Sequence, residues 1–286
     1  APPPPRGPAQ GQKGPAPPFF RGLAHNGTPV KIKRKPPKSP RAARPLYLVG
    51  YSSPPPQLIE LQVWFDLEYG GPLKLGPLAQ KPGASGAGTV ATHGPWSAML
   101  HSRLADQDAE AWKGGLSWHH ESAAAVIPST VTPANACDAV LHAARLARGL
   151  TLMTDGTAYD MATGTYLNPS DWSDQRLAVF LLGDHVVVHQ AESDRPGYDW
   201  FHTLGLAKFG RDELETYRPA GLPDRPVHDR LLEIAEDLQR LRLQPRVGET
   251  VSCRGSGLHV SILRHRTIPV SGTSVGVREI AWESTA

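Results

Sequence analysis

Apolar residues along the chain fall either in short continuous runs or at helical spacings, and this mixture predicts an α+β fold. The runs that are typical of strands cover residues 46–51, 123–127, 150–154, 158–167, 177–182, 185–189, 250–254 and 258–263. Glycine-containing turns separate two pairs of these runs, at Gly183-Asp184 and at Gly255-Ser256-Gly257, as in antiparallel hairpins. Because the strands outnumber the helices and many are neighbours in the chain, a mostly antiparallel sheet is favoured.

Two main amphipathic helices are predicted to pack on this sheet. The first follows Thr132 as its N-cap, has Pro133 at its first position, and ends where Gly149 supplies a C-terminal cap. The second follows Asp224 and ends before Pro245. Its apolar residues are spaced by four, three, four and three positions: Val227, Leu231, Ile234, Leu238 and Leu241.

A shorter helix is predicted over residues 58–69, where Leu58, Leu61 and Phe65 share one face. Residues 71–95 are rich in glycine, proline and alanine, and are predicted to form a long surface loop. Together with the strands and the main helices, these segments are expected to form one α+β domain over residues 46–286.

Residues 1–45, here called the arm, differ sharply from the rest of the chain. They contain ten Lys or Arg residues and no Asp or Glu, whereas the other residues hold 20 cations and 27 anions, a net charge of −7. Thirteen of the 29 prolines lie in the arm, which has few large apolar residues. Such a segment cannot bury enough apolar surface to offset its ordering entropy, so we expect it to be extended or disordered unless it is docked.

The arm carries the candidate binding residues. A basic run occupies residues 31–44, and two adjacent aromatic residues precede it, so the predicted partner-binding or polyanion-binding residues are Phe19, Phe20, Lys31, Lys33, Arg34, Lys35, Lys38, Arg41 and Arg44. The arm could bind a protein partner or a neighbouring subunit, it could neutralise the phosphates of nucleic acid without sequence preference, or it could be a passive solvated tail.

Composition narrows the class of protein. No apolar run approaches the roughly 18–20 residues that a membrane-spanning helix needs. The Pro-rich N-terminus lacks the charged-then-apolar pattern of a secretory signal. Cys137 and Cys253 are too few for a disulfide framework or a cysteine-based zinc site. A cytoplasmic protein with reduced thiols and no cofactor is therefore predicted.

Histidines and aspartates offer the remaining candidate chemistry. His185 and His189 are four residues apart on a predicted strand, and His202 or Asp199 is a candidate third ligand for a metal. Four aspartates cluster in sequence and could supply paired carboxylates: Asp155, Asp160, Asp171 and Asp174. Sheet histidines and turn aspartates explain the same residues, so the sequence predicts no metal site and no catalytic site, with a metal-dependent hydrolase as a further alternative.

Residues 199–218 and the helix predicted after them resemble the C-terminal part of the bacterial domain-of-unknown-function family numbered 4261. That family has a Thr-x-Gly-apolar-x-x-Phe-Gly-x-x-Glu-apolar core, matched here by Thr203, Gly205, Leu206, Phe209, Gly210, Glu213 and Leu214. The resemblance covers roughly residues 120–263 and implies a fold, not an activity. Read from the residues themselves, the motif supplies turn glycines and core side chains.

The sequence as a whole predicts a non-enzymatic interaction or assembly module of an uncharacterised bacterial family. Its arm is expected to engage a protein partner or a neighbouring subunit. The first alternative is sequence-independent binding of nucleic acid or another polyanion through the cationic arm.

Overall fold

The computed structural model describes residues 45–78, 88–102, 115–120, 122–129, 131–132, 134–270 and 273–284. Its strands are β1 (Tyr47–Tyr51), β2 (Leu73–Pro77), β3 (Gly88–His93), β4 (Trp96–His101), β5 (Ser122–Pro128), β6 (Thr157–Asp160), β7 (Tyr166–Leu167), β8 (Val187–Glu192), β9 (Tyr198–Leu204), β10 (Glu213–Pro219), β11 (Thr250–Cys253), β12 (Leu258–Val270) and β13 (Thr273–Ser284). Its α-helices are α1 (Leu58–Tyr69), α2 (Ala136–Thr154), α3 (Pro169–Asp174) and α4 (Arg225–Arg240). Short 3-10 turns cover Leu116–Trp118, Leu182–Asp184 and Leu206–Phe209.

Sheet 1 has the strand order β2-β3-β4-β5-β1-β6-β7, and its neighbouring strands are antiparallel. The central strand β1 is the apolar run predicted at residues 46–51, and all of its residues are buried. Both β5 and β6 run antiparallel to β1, so they are parallel to each other, and α2 connects them. Sheet 1 is thus built around a split β-α-β unit, with α1 and α2 packed against its strands.

Sheet 2 has the order β11-β12-β13-β10-β9-β8, in which β10 and β13 are parallel and the other described pairs are antiparallel. The hairpin predicted around residues 255–257 is confirmed, since Cys253 lies opposite Leu258. Helix α4 covers one face of this sheet and buries Val227, Leu231, Ile234 and Leu238 as its spacing predicts. Leu241 follows the helix and is exposed.

The two larger of the three apolar clusters among the described residues form the cores of the two sheets, and α2 takes part in both. Ala136 and Val140, in its first turns, belong to the core of sheet 2, whereas the residues from Leu141 onward pack in the core of sheet 1. Alanines let the backbone of this helix approach its neighbours closely. Leu46 and Phe180 also touch both cores. The two sheets are therefore joined through shared apolar packing as well as through the chain.

The predicted α+β class with mostly antiparallel strands is confirmed, but the prediction of a single sheet is wrong. The predicted loop over residues 71–95 is also wrong at its two ends, because β2 and β3 pair there as an antiparallel ladder. Leu73 is fully buried in the core of sheet 1, and this tertiary contact outweighs the glycine and proline content. Residues 79–87, in the middle of the predicted loop, lie outside the described residues.

The ends of α2 differ from their predicted positions. Asn135 is the N-cap, and its side-chain oxygen accepts hydrogen bonds from the backbone and hydroxyl of Thr132; Pro133 lies outside the described residues. The strand predicted at residues 150–154 is the last turn of the helix. Its threonines fit there because the Thr151 and Thr154 hydroxyls donate to carbonyls one turn earlier.

Gly149 is not a C-terminal cap but a contact point between helices. A Cβ atom at this position would lie 2.6 Å from Cζ3 of Trp64, so only glycine allows α1 to approach α2 this closely. The helix ends instead at Asp155, whose backbone is left-handed with φ 48°.

The hairpin predicted from residues 177–182 and 185–189 is wrong. Residues 182–184 form a 3-10 turn, and β8 begins only at Val187, where it pairs with β9. His185 precedes the strand and is buried between Phe180 and Phe209, with ring centroids 5.2 and 6.4 Å away. The apolar packing of this histidine replaces the expected strand pairing.

Candidate interaction surface

Helix α1 has apolar side chains on its solvent side as well as on its core side. Leu61 and Phe65 are buried, as their spacing predicts, but Leu58 is half exposed. Ile59, Val63 and Leu67 recur every four residues on the opposite side and are 59%, 52% and 84% exposed. We call these three residues the α1 stripe. A helix with apolar side chains on two opposite sides is expected to be covered on both, so the uncovered side marks an interaction surface.

The stripe stands on a rigid base. The Gln57 and Glu60 side chains form a capping box at the start of α1, and Gly70 ends the helix. On the core side, Arg148 of α2 pairs with Glu68 at 2.9 Å and donates to the Tyr69 hydroxyl at 2.9 Å. These contacts fix the orientation of α1 on sheet 1. Its exposed side chains are therefore presented on a preformed surface, which lowers the entropic cost of binding.

Carboxylates border the stripe. Helix α1 contains Glu60, Asp66 and Glu68 and no Lys or Arg. By helical geometry Glu60 and Asp66 lie on either side of the stripe, and each accepts a backbone N–H, from Gln57 and Leu73. Among the ion pairs of the described residues, none involves Glu60 or Asp66, so the stripe has an acidic border.

The binding residues predicted in the arm lie outside the described residues: Phe19, Phe20, Lys31, Lys33, Arg34, Lys35, Lys38, Arg41 and Arg44. The α1 stripe was not predicted as a surface. A signal for it exists in the sequence, because Ile59, Val63 and Leu67 repeat on the face opposite Leu61 and Phe65.

The histidines proposed as metal ligands do not come together. His185 precedes β8, the strand that carries His189, and its buried ring stacks on Phe180. His189 and His202 do face each other across β8 and β9, with ring centroids 5.8 Å apart. Asp199 instead accepts a hydrogen bond from Gln190 at 3.2 Å. Within the described residues, no three His, Cys, Asp or Glu side chains form a group that could hold a metal ion.

A charged and aromatic network occupies the face of sheet 2 that carries His202. The His202 ring stacks on Trp200 at 3.9 Å between centroids, and Trp200 donates to the buried Glu215 at 2.9 Å. Arg266 binds both oxygens of Glu215. Burial, with smaller contributions from the nearby His189 and Arg266, lowers the pKa of His202 to about 4. Because its partners already satisfy Glu215, this network is a structural feature of the sheet.

Three of the four clustered aspartates have separate structural roles, and the fourth, Asp174, is the last residue of α3. Asp155 caps α2, and Asp171 completes a capping box with Asn168 at the start of α3. Asp160 is buried and forms an ion pair with Lys208, whose ammonium group also donates to the His185 carbonyl at 2.9 Å. No local pattern predicts this pair, because 48 residues separate its members. Asp160 belongs to sheet 1 and Lys208 to the turn between β9 and β10, so the pair links the two sheets.

The motif that carries the family resemblance folds around the Glu213 carboxylate. Glu213 is buried and accepts hydrogen bonds from the Thr203 hydroxyl and from the backbone N–H groups of residues 205, 206 and 207, at 2.8 to 3.2 Å. Gly205 is required because its φ is +118° and an added Cβ would lie 2.4 Å from the His185 carbonyl oxygen. Leu206, Phe209 and Leu214 pack in the core of sheet 2, which confirms the predicted turn and core role.

Buried histidines make stability sensitive to acid. Burial lowers the pKa of His142 to about 4 and that of His185 to about 3, with smaller contributions from His93 and Arg145 near the first and Lys208 near the second. The unfolded chain takes up these protons near pH 6.5, so stability is retained above that pH and lost as the pH falls toward 4. We expect a slope of up to about 2.7 kcal/mol per pH unit for the two groups, measured by urea unfolding at pH 7 and pH 5.

The His185→Phe variant is the control for this slope. Both ring nitrogens of His185 lack a hydrogen-bond partner among the described residues, so phenylalanine removes a titrating group without removing a hydrogen bond. Its loss of stability between pH 7 and pH 5 should be smaller than that of the wild type by roughly a third, because His142 and His202, whose pKa values are also lowered, still titrate. An unchanged loss would assign the acid sensitivity to other groups.

Comparisons of the chain with protein-family models, with curated proteins and with solved structures found no match. The resemblance to family 4261 stays a prediction. Of the helices in the described part of the chain, none is long and apolar enough to cross a membrane.

Proposed function

We propose that the protein is a non-enzymatic assembly module that associates with another copy of itself through the α1 stripe. The observation that carries the proposal is the exposure of Ile59, Val63 and Leu67 on a helix whose other side is fixed in the core. Burying a fully exposed side chain of this kind is worth about 1.5–3 kcal/mol, and the part of each side chain that is still exposed remains to be covered by a partner. The arm, with its cations and its two adjacent phenylalanines, is the second binding element of the module.

Replacing Val63 by glutamate is expected to weaken self-association by at least ~tenfold, because a carboxylate in the stripe would be desolvated without a partner. Glutamate is a good helix former and Val63 is exposed, so the fold should be unaffected. The measurement is multi-angle light scattering of the full chain over a range of concentrations.

Val247→Glu is the matched control, because Val247 is 53% exposed and lies in a turn outside α1. It should associate like the wild type. Association of Val63→Glu with wild-type affinity would contradict the role of the stripe, and circular dichroism of both variants would show whether either is misfolded.

Polyanion binding is the second candidate function, and the seven cations within residues 31–44 favour it. If each cation neutralised one phosphate, the logarithm of the affinity for a single-stranded oligonucleotide would fall with a slope of about −5 against log salt. Fluorescence anisotropy with an oligonucleotide of arbitrary sequence measures this slope. Replacing all seven cations by glutamine should abolish binding, and binding that persists would assign it to another surface.

A further inference from the structure

We infer, on the basis of the proposed function, that the element seated on the α1 stripe is the arm of a second copy. Two elements of a second copy could cover the stripe: its own α1 stripe or its arm. Three properties of the chain distinguish them: the charge around the stripe, the area that the stripe can bury, and the length and composition of the arm.

The charge around the stripe favours the arm over a second α1 as the element that binds there. A second α1 would bring another Glu60 and Asp66 toward the same pair of carboxylates, and like charges at an interface are unfavourable. The arm carries ten cations and no anion. A cationic segment with apolar side chains complements a stripe of apolar residues that has an acidic border.

The area that the stripe can bury also favours the arm over a second α1. A stripe one helix wide offers a few hundred Å² of apolar surface, whereas a stable interface buries roughly 800 Å² per partner. Reciprocal exchange of two arms creates two equal contacts related by a two-fold axis, so each copy both gives an arm and receives one. This arrangement doubles the buried surface and closes the assembly at a dimer.

The composition and length of the arm fit this role. Phe19, Phe20 and Leu23 supply large apolar side chains within five residues, and the basic run follows them. The residues between Phe20 and the first described residue, Pro45, can span roughly 80 Å when extended, and α1 is only about 18 Å long. Prolines reduce the conformational entropy that docking would remove.

The decisive experiment mixes two full-length variants that are defective in different elements. Phe19→Ser/Phe20→Ser has a defective arm and an intact stripe, and Val63→Glu has the reverse. Each alone should associate at least ~tenfold more weakly than the wild type in sedimentation-velocity runs. The equimolar mixture, with one variant fluorescently labelled, should form a mixed dimer because one intact arm meets one intact stripe.

A separate variant tests the contribution of charge to the binding of the arm. Glu60→Gln keeps an acceptor for the capping box but removes one carboxylate at the border of the stripe. Exchange of arms predicts that this variant associates about two- to fivefold more weakly, whereas pairing of two stripes predicts tighter association, because like-charge repulsion falls.

The outcomes separate this inference from the proposed function. If the arm-defective variant associates as tightly as the wild type while Val63→Glu does not, the stripe binds something other than the arm and the inference is overturned. If the mixture stays monomeric while the wild type associates, exchange between copies is overturned. If the wild type is monomeric at every concentration, the proposed function fails as well. If Val63→Glu associates like the wild type, the proposed function itself fails.

Discussion

Replacing Lys208 by methionine is expected to lower the free energy of unfolding by about 3–5 kcal/mol, because it leaves the buried Asp160 carboxylate without its cation. Asp160 would keep two backbone donors, the N–H groups of Ala162 and Thr163, at 2.9 and 3.2 Å. These neutral donors do not compensate a full charge in the interior. For a domain of this size the loss corresponds to a fall in Tm of roughly 6–20 °C, measured by differential scanning calorimetry.

The position of the pair explains why the effect should be large. Its members belong to different sheets, the Lys208 side chain is completely buried, and the ammonium group lies 5.5 Å from the centre of the Tyr47 ring. Lys74→Met, on the exposed side of β2, is the matched control and should change stability by less than ~0.5 kcal/mol.

A double variant tests whether the pair itself is responsible. Asp160→Asn combined with Lys208→Met removes both charges and keeps the turn donors of residues 162 and 163 satisfied. We expect it to be at least ~1 kcal/mol more stable than the sum of the single changes predicts. Strict additivity would show that the two residues act independently.

The elements whose structure is determined by local sequence pattern could be predicted from the sequence. Helix α1 has the predicted bounds, α4 buries the predicted residues, and the β11–β12 hairpin turns where glycines require it. In each of these, the spacing of apolar residues and the turn residues favour the same structure.

The predictions failed where distant contacts decide local structure. The strand predicted at residues 185–189 is lost at its start because the His185 carbonyl binds Lys208 and its ring is packed between two phenylalanines. Gly149 looked like a helix cap because nothing near it in sequence reveals Trp64 on the neighbouring helix. Neither contact has a local signal.

The two parts of the candidate surface, the arm and the stripe, also differ in whether local sequence reveals them. Composition alone identifies the arm, because charge and proline content are counted directly from the residues. Identifying the stripe depends on knowing which side of α1 is covered, and a helix with apolar residues on two opposite sides does not reveal this by periodicity. The packing of Leu61 and Phe65 against α2 and sheet 1 decides it.

Replacing Glu213 by glutamine is expected to cost about 3 kcal/mol, although the side chain keeps its size. Each carboxylate oxygen accepts two hydrogen bonds, Oε1 from the N–H groups of residues 205 and 207, and Oε2 from the Thr203 hydroxyl and the N–H of residue 206. An amide nitrogen at the Oε1 or the Oε2 position would itself be a donor, and it would face two other donors instead of acceptors. The Thr203 oxygen already accepts the Leu214 N–H at 2.8 Å, and if the hydroxyl turned to accept from the amide as well, its own proton would lose the acceptor that Glu213 provides.

Thermal unfolding of Glu213→Gln beside Glu236→Gln, an exposed position on α4, measures this cost. We expect a fall in Tm of roughly 6–12 °C for the first variant and almost none for the second. Burial raises the pKa of Glu213, and its four hydrogen bonds oppose that rise. Equal stability of the two variants would show that the donors around Glu213 find other partners, and the turn that places Lys208 between the sheets would then not depend on this carboxylate.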